Sequence, residues 1–173
     1  MANNFFVYKN FKVGKSLIEN NKNEVIKRIF DKADKNNCNL IIPEDCVVGT
    51  SFDGEGINKT LEQIEEDEII LDIGSNTINN IKQIISKSKT VLWNGPAGYF
   101  ENKNFLRGTI SIAETISKKT NEKTLISVIG GGDTLSAVNK SKSKLSFSHL
   151  STAGGAFLEY LEGKDLPGIS VLK

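Results

Sequence analysis

The stretch Leu125-Ile126-Ser127-Val128-Ile129-Gly130-Gly131-Gly132-Asp133-Thr134 decides the fold. Its largely apolar first half runs without alternation into three glycines, and Leu135 and Val138 then recur at helical spacing. An unbroken, β-branched run predicts a strand covered on both faces, as in a parallel sheet. Glycines between such a strand and a helix let the backbone pass close to a ligand, and free N–H groups at the helix start favour an anion. Asp133 reads two ways: as a plain N-cap after a tight turn, or as a carboxylate that meets a nucleotide phosphate through Mg²⁺. The stretch has no GxxxxGK[ST], and Leu135 stands where a dinucleotide fingerprint needs its third glycine.

The same grammar repeats outward from this point. Leu40-Ile41-Ile42, Ile69 to Ile73 and Thr90 to Trp93 are further apolar runs that read as strands. Helical spacing follows them or lies between them. Ser16 and Glu19 stand at capping-box spacing ahead of Val25, Ile26, Ile29, Phe30 and Ala33. Ser75 or Asn76 is placed to cap a helix carrying Ile78, Ile81, Ile84 and Ile85. Phe105, Thr109, Ile112, Ala113 and Ile116 mark a third, Asp133 opens a short fourth, and a last one spans about 155–161, ended by Gly163 with Pro167 as a stop. Strands alternating with helices predict an α/β fold: a Rossmann-like parallel sheet flanked by helices in three layers. Residues 49–67 read as a surface excursion, and Glu65 to Glu68 as a solvated acidic face rather than a metal site.

Composition narrows the function. Across 173 residues, 22 basic and 21 acidic side chains leave a net charge of +1, which argues against binding driven by bulk charge to nucleic acid or a membrane surface. No apolar run approaches a membrane span, and the N-terminus lacks the pattern of a secretory signal, so the expected location is cytoplasmic. Cys38 and Cys46 lack metal or redox spacing and are expected to be two buried thiols.

Ligands of open parallel sheets bind beyond the carboxyl ends of the strands. The loops there begin at Asp72-Ile73-Gly74-Ser75, Asn94-Gly95-Pro96-Ala97-Gly98, Gly130 to Thr134, and Ser151-Thr152-Ala153-Gly154-Gly155. Pro96 between glycines fixes a rigid turn and leaves Asn94 and Glu101 as polar groups at a strand's end. Glu101 is either a solvated surface carboxylate or one that accepts ribose hydroxyls. His149, the only histidine, is expected to pack beneath its loop rather than to catalyse.

Together WNGPAGYFE, VIGGGDT, SHLSTAGGAFLEYLEGKDLPG, LDIG and the opening MANNFF with VGKSLIE resemble phosphoglycerate kinase, in that family's order and spacing and across essentially the whole chain. The resemblance implies a kinase moving a phosphoryl group between 1,3-bisphosphoglycerate and ADP to give 3-phosphoglycerate and ATP, with Mg-ATP or Mg-ADP bound. It makes residues 1–173 most of the family's C-terminal, nucleotide-binding domain. By resemblance, Glu101 binds ribose, Asn94 and Pro96 place the nucleotide, and Gly74 lines the adenine pocket. Gly131, Gly132, Asp133 and Thr134 hold phosphates, Asp133 through Mg²⁺, while Gly154 and Gly155 offer N–H groups to the moving phosphoryl.

The sequence departs from the family pattern at Ser75, Tyr99 and Ala153, which stand for proline, a smaller aliphatic residue and glycine. Met1 matches a methionine that follows the domain's second strand. The expectation is therefore a chain without those first strands and without the N-terminal domain that binds phosphoglycerate and carries the catalytic arginine. Neither Arg28 nor Arg107 falls on a motif position that could stand in for it. Phosphoglycerate is then bound only with that other domain, in a family that is typically monomeric. The alternative is an inactive fragment of a split or decaying gene, with at most weak nucleotide binding.

Overall fold

The computed structural model describes residues 1–172; Lys173, the last residue of the expected unit, lies outside them. Helix α1 (Ala2–Tyr8) and helix α2 (Asn23–Lys35) come first, followed by strands β1 (Asp45–Gly49), β2 (Ile57–Thr60) and β3 (Ile69–Ile73). Helix α3 (Ser75–Lys87), strand β4 (Thr90–Asn94), helix α4 (Arg107–Asn121), strand β5 (Ile126–Gly130) and helix α5 (Gly132–Val138) alternate after them. Strand β6 (His149–Ser151) and helices α6 (Gly155–Leu161) and α7 (Pro167–Ser170) close the chain.

The arrangement is three-layer α/β, with the parallel sheet β4-β5-β6 flanked by helices. A second sheet was not expected. Strands β2-β1-β3 pair antiparallel on both sides of β1, with an irregularity between Val47 and Val48. Residues 49–67, read as an excursion, supply β2 and a single 3₁₀ turn at Leu61–Gln63. The expected strand at Leu40-Ile41-Ile42 does not form: no described strand lies beside it to complete a ladder, and pairing begins three residues later at Asp45. The outer edge of β4 likewise has no strand neighbour among the described residues, and Leu92 is 45% exposed.

Two apolar cores match the two sheets. Ile73, Ile78, Ile85, Ile112, Ile116, Leu125 and Ile129 form one, so the predicted inner faces of α3 and α4 are the faces buried. Phe6, Val13, Cys46, Val48, Leu61 and Ile64 form the other beneath α1, a helix the sequence reading did not contain. Phe30 on α2 packs on Phe5 and Tyr8, at ring-centroid distances of 5.9 and 5.7 Å.

Several expected caps are replaced by longer-range partners. The Ser16 hydroxyl does not cap α2: Ser16 is buried and accepts the Ile70 N–H at 2.8 Å. At α3 neither Ser75 nor Asn76 caps. Gly74 holds the N-cap position, and the Asp45 carboxylate accepts the N–H groups of Asn76 and Thr77, each at 2.9 Å. Asp133 lies in the first turn of α5, whose N-cap is Gly131. Pro167 starts a helix at its first position rather than ending one.

Cys38 is exposed, contrary to expectation, and Cys46 is buried. Burial, then the charges of Asp45 and Glu68, push the Cys46 thiol up to about 12. The acidic face is solvated only at Glu65, Glu66 and Asp67; Glu68 is buried and pairs with Lys59 at 2.7 Å. Among the described residues no helix is long and apolar enough to cross a membrane.

Candidate functional site

The parallel register sets the site. Asn94 pairs with Gly130 and Gly130 with Ser151, so the carboxyl ends of β4, β5 and β6 lie side by side. The three loops leaving this edge are stitched together. The Gly131 N–H donates to the Ser151 carbonyl at 3.1 Å, and the Gly95 N–H to the Thr134 hydroxyl at 2.7 Å. The Trp93 indole N–H donates to the Gly95 carbonyl at 2.7 Å and fixes the turn from below.

Glycine is required where these loops meet. Gly131 has a φ of +95°, and a Cβ there would lie 3.1 Å from Asn94 Oδ1 and 3.4 Å from Thr134 Oγ1. A Cβ on Gly154 would stand 3.5 Å from the Gly131 Cα, so the two glycine loops nearly touch. Gly132 and Gly155 face open space, with nothing within 4 Å of a Cβ at either position. Asn94 Nδ2 is the one buried side-chain polar atom without a partner among the described residues. An orphaned amide beside glycines and the backbone of two helix starts suits a ligand oxygen as its acceptor. Asp133 is exposed in the first turn of α5, so a carboxylate and this donor set share one small region. That is the chemistry a metal-bound phosphate would need.

Asn94, Gly131, Gly132, Asp133, Thr134, Gly154 and Gly155 are therefore brought together. Thr134 is fully buried with its oxygen engaged by Gly95, so it holds the loops to one another. Pro96 lines a cavity that continues along β3 past Leu71, Asp72, Gly98 and Tyr99. Gly74 is apart from this edge: it is buried against the Asp45 carboxylate and donates its N–H to Asp45 O at 2.9 Å. Glu101 is exposed at the far end of the 95–101 loop. His149 is exposed on β6 and not packed beneath its loop. Of the three departures, Tyr99 packs on Phe52 at 5.0 Å and donates its N–H to Leu71 O; the Ser75 N–H donates to Asn58 Oδ1; Ala153 is exposed.

Three residues that sequence reasoning did not select organise the loops. Asp72 accepts the Gly108 N–H at 2.7 Å and the Ile73 N–H at 2.8 Å. Burial pushes its carboxyl up to about 6, against the lowering effect of those two N–H groups and of Arg107. Burial also raises Asp45, but the N–H groups of Thr77 and Asn76, the Thr77 hydroxyl and the Asn58 amide outweigh it and hold that carboxyl below its usual range. Lys140 reaches back from beyond α5 to the 95–101 loop. Nothing local in a lysine- and serine-rich tail marked it.

A family profile described as phosphoglycerate kinase matches residues 1–164. The chain is 43% identical over 171 residues to a phosphoglycerate kinase of Wolbachia pipientis (strain wPip), covering 98% of this chain and 43% of that protein. It is 41% identical over 175 residues to one of Chelativorans sp. (strain BNC1), covering 100% of this chain and 44% of that protein. The solved phosphoglycerate kinase of Coxiella burnetii superposes with a TM-score of 0.88 at 38% identity, over 99% of this chain and 44% of that one. That of Pyrococcus horikoshii OT3 gives 0.73 at 27% identity, over 99% and 42%. The chain thus spans under half the length of these curated relatives.

Proposed function

The chain belongs to the phosphoglycerate kinase family, and on that premise we propose that it binds the Mg-nucleotide for phosphoryl transfer between 1,3-bisphosphoglycerate and ADP. The observation that carries this reading is the meeting of the orphaned Asn94 amide with the glycine backbones of β5–α5 and β6–α6 at one sheet edge. Asn94 donates to a phosphate oxygen. Gly131 and Gly132 offer N–H groups to the phosphates, Thr134 keeps that loop tied to Gly95, and Pro96 shapes the wall along which the nucleotide lies. Gly154 and Gly155 bring N–H groups to the phosphoryl in transfer, which needs positioning and charge neutralisation more than covalent chemistry. Asp133 is the residue to hold Mg²⁺, which when bound neutralises phosphate charge. Glu101 accepts the ribose hydroxyls. Gly74, buried against the Asp45 carboxylate away from the phosphate edge, lines the adenine pocket.

Phosphoglycerate is bound by residues other than these. Arg28 lies on α2 and Arg107 opens α4, neither of them on the glycine edge. This chain alone is expected to form no ATP from 1,3-bisphosphoglycerate and ADP in a coupled assay, and turnover well above background would contradict that. The nucleotide reading is tested by calorimetry of ADP with and without Mg²⁺. Asp133→Ala should weaken MgADP by roughly tenfold and leave metal-free ADP nearly unchanged. Equal MgADP affinities for the two proteins would remove Asp133 from the metal site.

A further inference from the structure

The loop that carries Glu101 is pinned to α5 at both ends. At one end Thr134, in the first turn of α5, receives the Gly95 N–H. At the other, Lys140, two residues beyond the helix, donates from Nζ to the carbonyls of Phe100 at 3.0 Å and Glu101 at 3.3 Å. The same ammonium lies 5.2 Å from the centre of the Phe100 ring. It bonds main chain and not the carboxylate: among the described residues Glu101 makes no ion pair. The Glu101 carboxylate is thus held in place by its own backbone and left free to accept.

We propose that Lys140 is a positioning residue for nucleotide, fixing the distance between the phosphate-binding glycines at the start of α5 and the ribose-binding carboxylate of Glu101. This rests on the reading of Glu101 given above. The α5 helix is about 10 Å of rigid spacer. With Gly132 at one end and Lys140 just past the other, it acts as a ruler against which the 95–101 loop is laid. A nucleoside diphosphate presents phosphates and ribose hydroxyls at a set separation, so the clamp selects for that span. Charge-assisted bonds to two carbonyls and a ring face hold it better than a neutral side chain of equal length could.

The test uses the full chain and two probes, MgADP and Mg-2′,3′-dideoxy-ADP, which differ only in the hydroxyls that Glu101 would bind. The unsubstituted chain should favour ADP by roughly tenfold, and Lys140→Met should bring the two to near parity while moving the dideoxy nucleotide by less than about twofold. Lys140→Arg, which keeps the charge and the donors, should restore most of the preference. Equal weakening of both nucleotides would assign Lys140 a general structural role and overturn the proposal, as would a preference left intact.

Glu101→Gln separates the two readings. If it abolishes the preference and Lys140→Met does not, the ribose role of Glu101 stands and the positioning role fails. If the preference survives Glu101→Gln, both fall. Amide hydrogen exchange tests the clamp without nucleotide: Lys140→Met should speed exchange at Asn102, whose N–H donates to Tyr99 O within this loop, and leave Gly95 unchanged. An unchanged Asn102 rate overturns the clamp whatever the nucleotides do.

Discussion

The helix starts of this chain fall into two kinds. At α3 and α4 the first N–H groups are filled by the protein's own buried carboxylates, Asp45 and Asp72. At α5 and α6 the start is glycine, no side chain caps it, and Gly132 and Gly155 face open space. Filled starts fasten the helices to the antiparallel sheet, since Asp45 and Asp72 sit on β1 and β3. Open starts stand at the edge of the parallel sheet, beside an amide with no partner. A helix N-terminus attracts negative charge in either case. What separates the two kinds is whether the chain supplies that charge itself.

The comparison breaks most easily at Asp45. Asp45→Ala removes the acceptor for the Asn76 and Thr77 N–H groups, the Thr77 hydroxyl and the Asn58 amide. Buried donors are left unpaired, and the expected loss is about 4 kcal/mol in urea unfolding. Asp45→Asn keeps one acceptor and should lose less. An effect below about 1 kcal/mol would mean that α3 does not depend on this cap.

The two filled starts should also differ in their response to acid. Asp72 has a carboxyl raised to about 6 from an ordinary 3.8, so it binds its proton more tightly folded than unfolded. Its contribution to stability is fully present below 3.8 and is lost as pH rises through about 6. Two units correspond to roughly 3 kcal/mol at most. Asp45, held below its usual range, contributes in the opposite sense: its share is present above 3.8 and lost as pH falls through the folded value. Urea unfolding of Asp72→Asn between about pH 4 and pH 6 should therefore lack a decline that the unsubstituted chain shows. An unaltered slope would place the titration elsewhere.

The smallest effects belong to the open starts. Gly131→Ala puts a side chain at a φ of +95° and against Asn94 Oδ1, and should cost about 1–2 kcal/mol. Gly132→Ala has free space and should change stability by less than about 1 kcal/mol, in the stabilising direction, while lowering ADP affinity. If Gly132→Ala leaves both stability and affinity unchanged, the α5 start is open but not used.

How much of this could be read from the sequence follows from the range of each interaction. The inner faces of α3 and α4 were legible because Ile78, Ile85, Ile112 and Ile116 repeat at helical spacing and meet one core. Strands β4 and β5 were legible because each is a continuous apolar run. Strand β2 was not, since Ile57-Asn58-Lys59-Thr60 is a mostly exposed edge without a continuous apolar run, held by its ladder to β1. Local cap candidates fail for long-range reasons: Ser16 is drawn to the Ile70 N–H, and at α3 the Asp45 carboxylate takes the place of Ser75 or Asn76. Motif residues found the glycine edge, yet the residues that set its geometry, Asp72 and Lys140, act across 36 and 39 or 40 positions. Sequence periodicity carries no information over that distance.

Trp93 gives the molecule an optical handle on this edge. It is the only tryptophan in the chain, and its indole is bonded to Gly95, where the 95–101 loop departs from β4. Indole emission depends on the hydrogen bonding and polarity of a single ring environment. Selective excitation of that ring therefore reports on one junction, within one residue of the orphaned amide. The colour of the emitted light can be followed through each substitution above with no label attached.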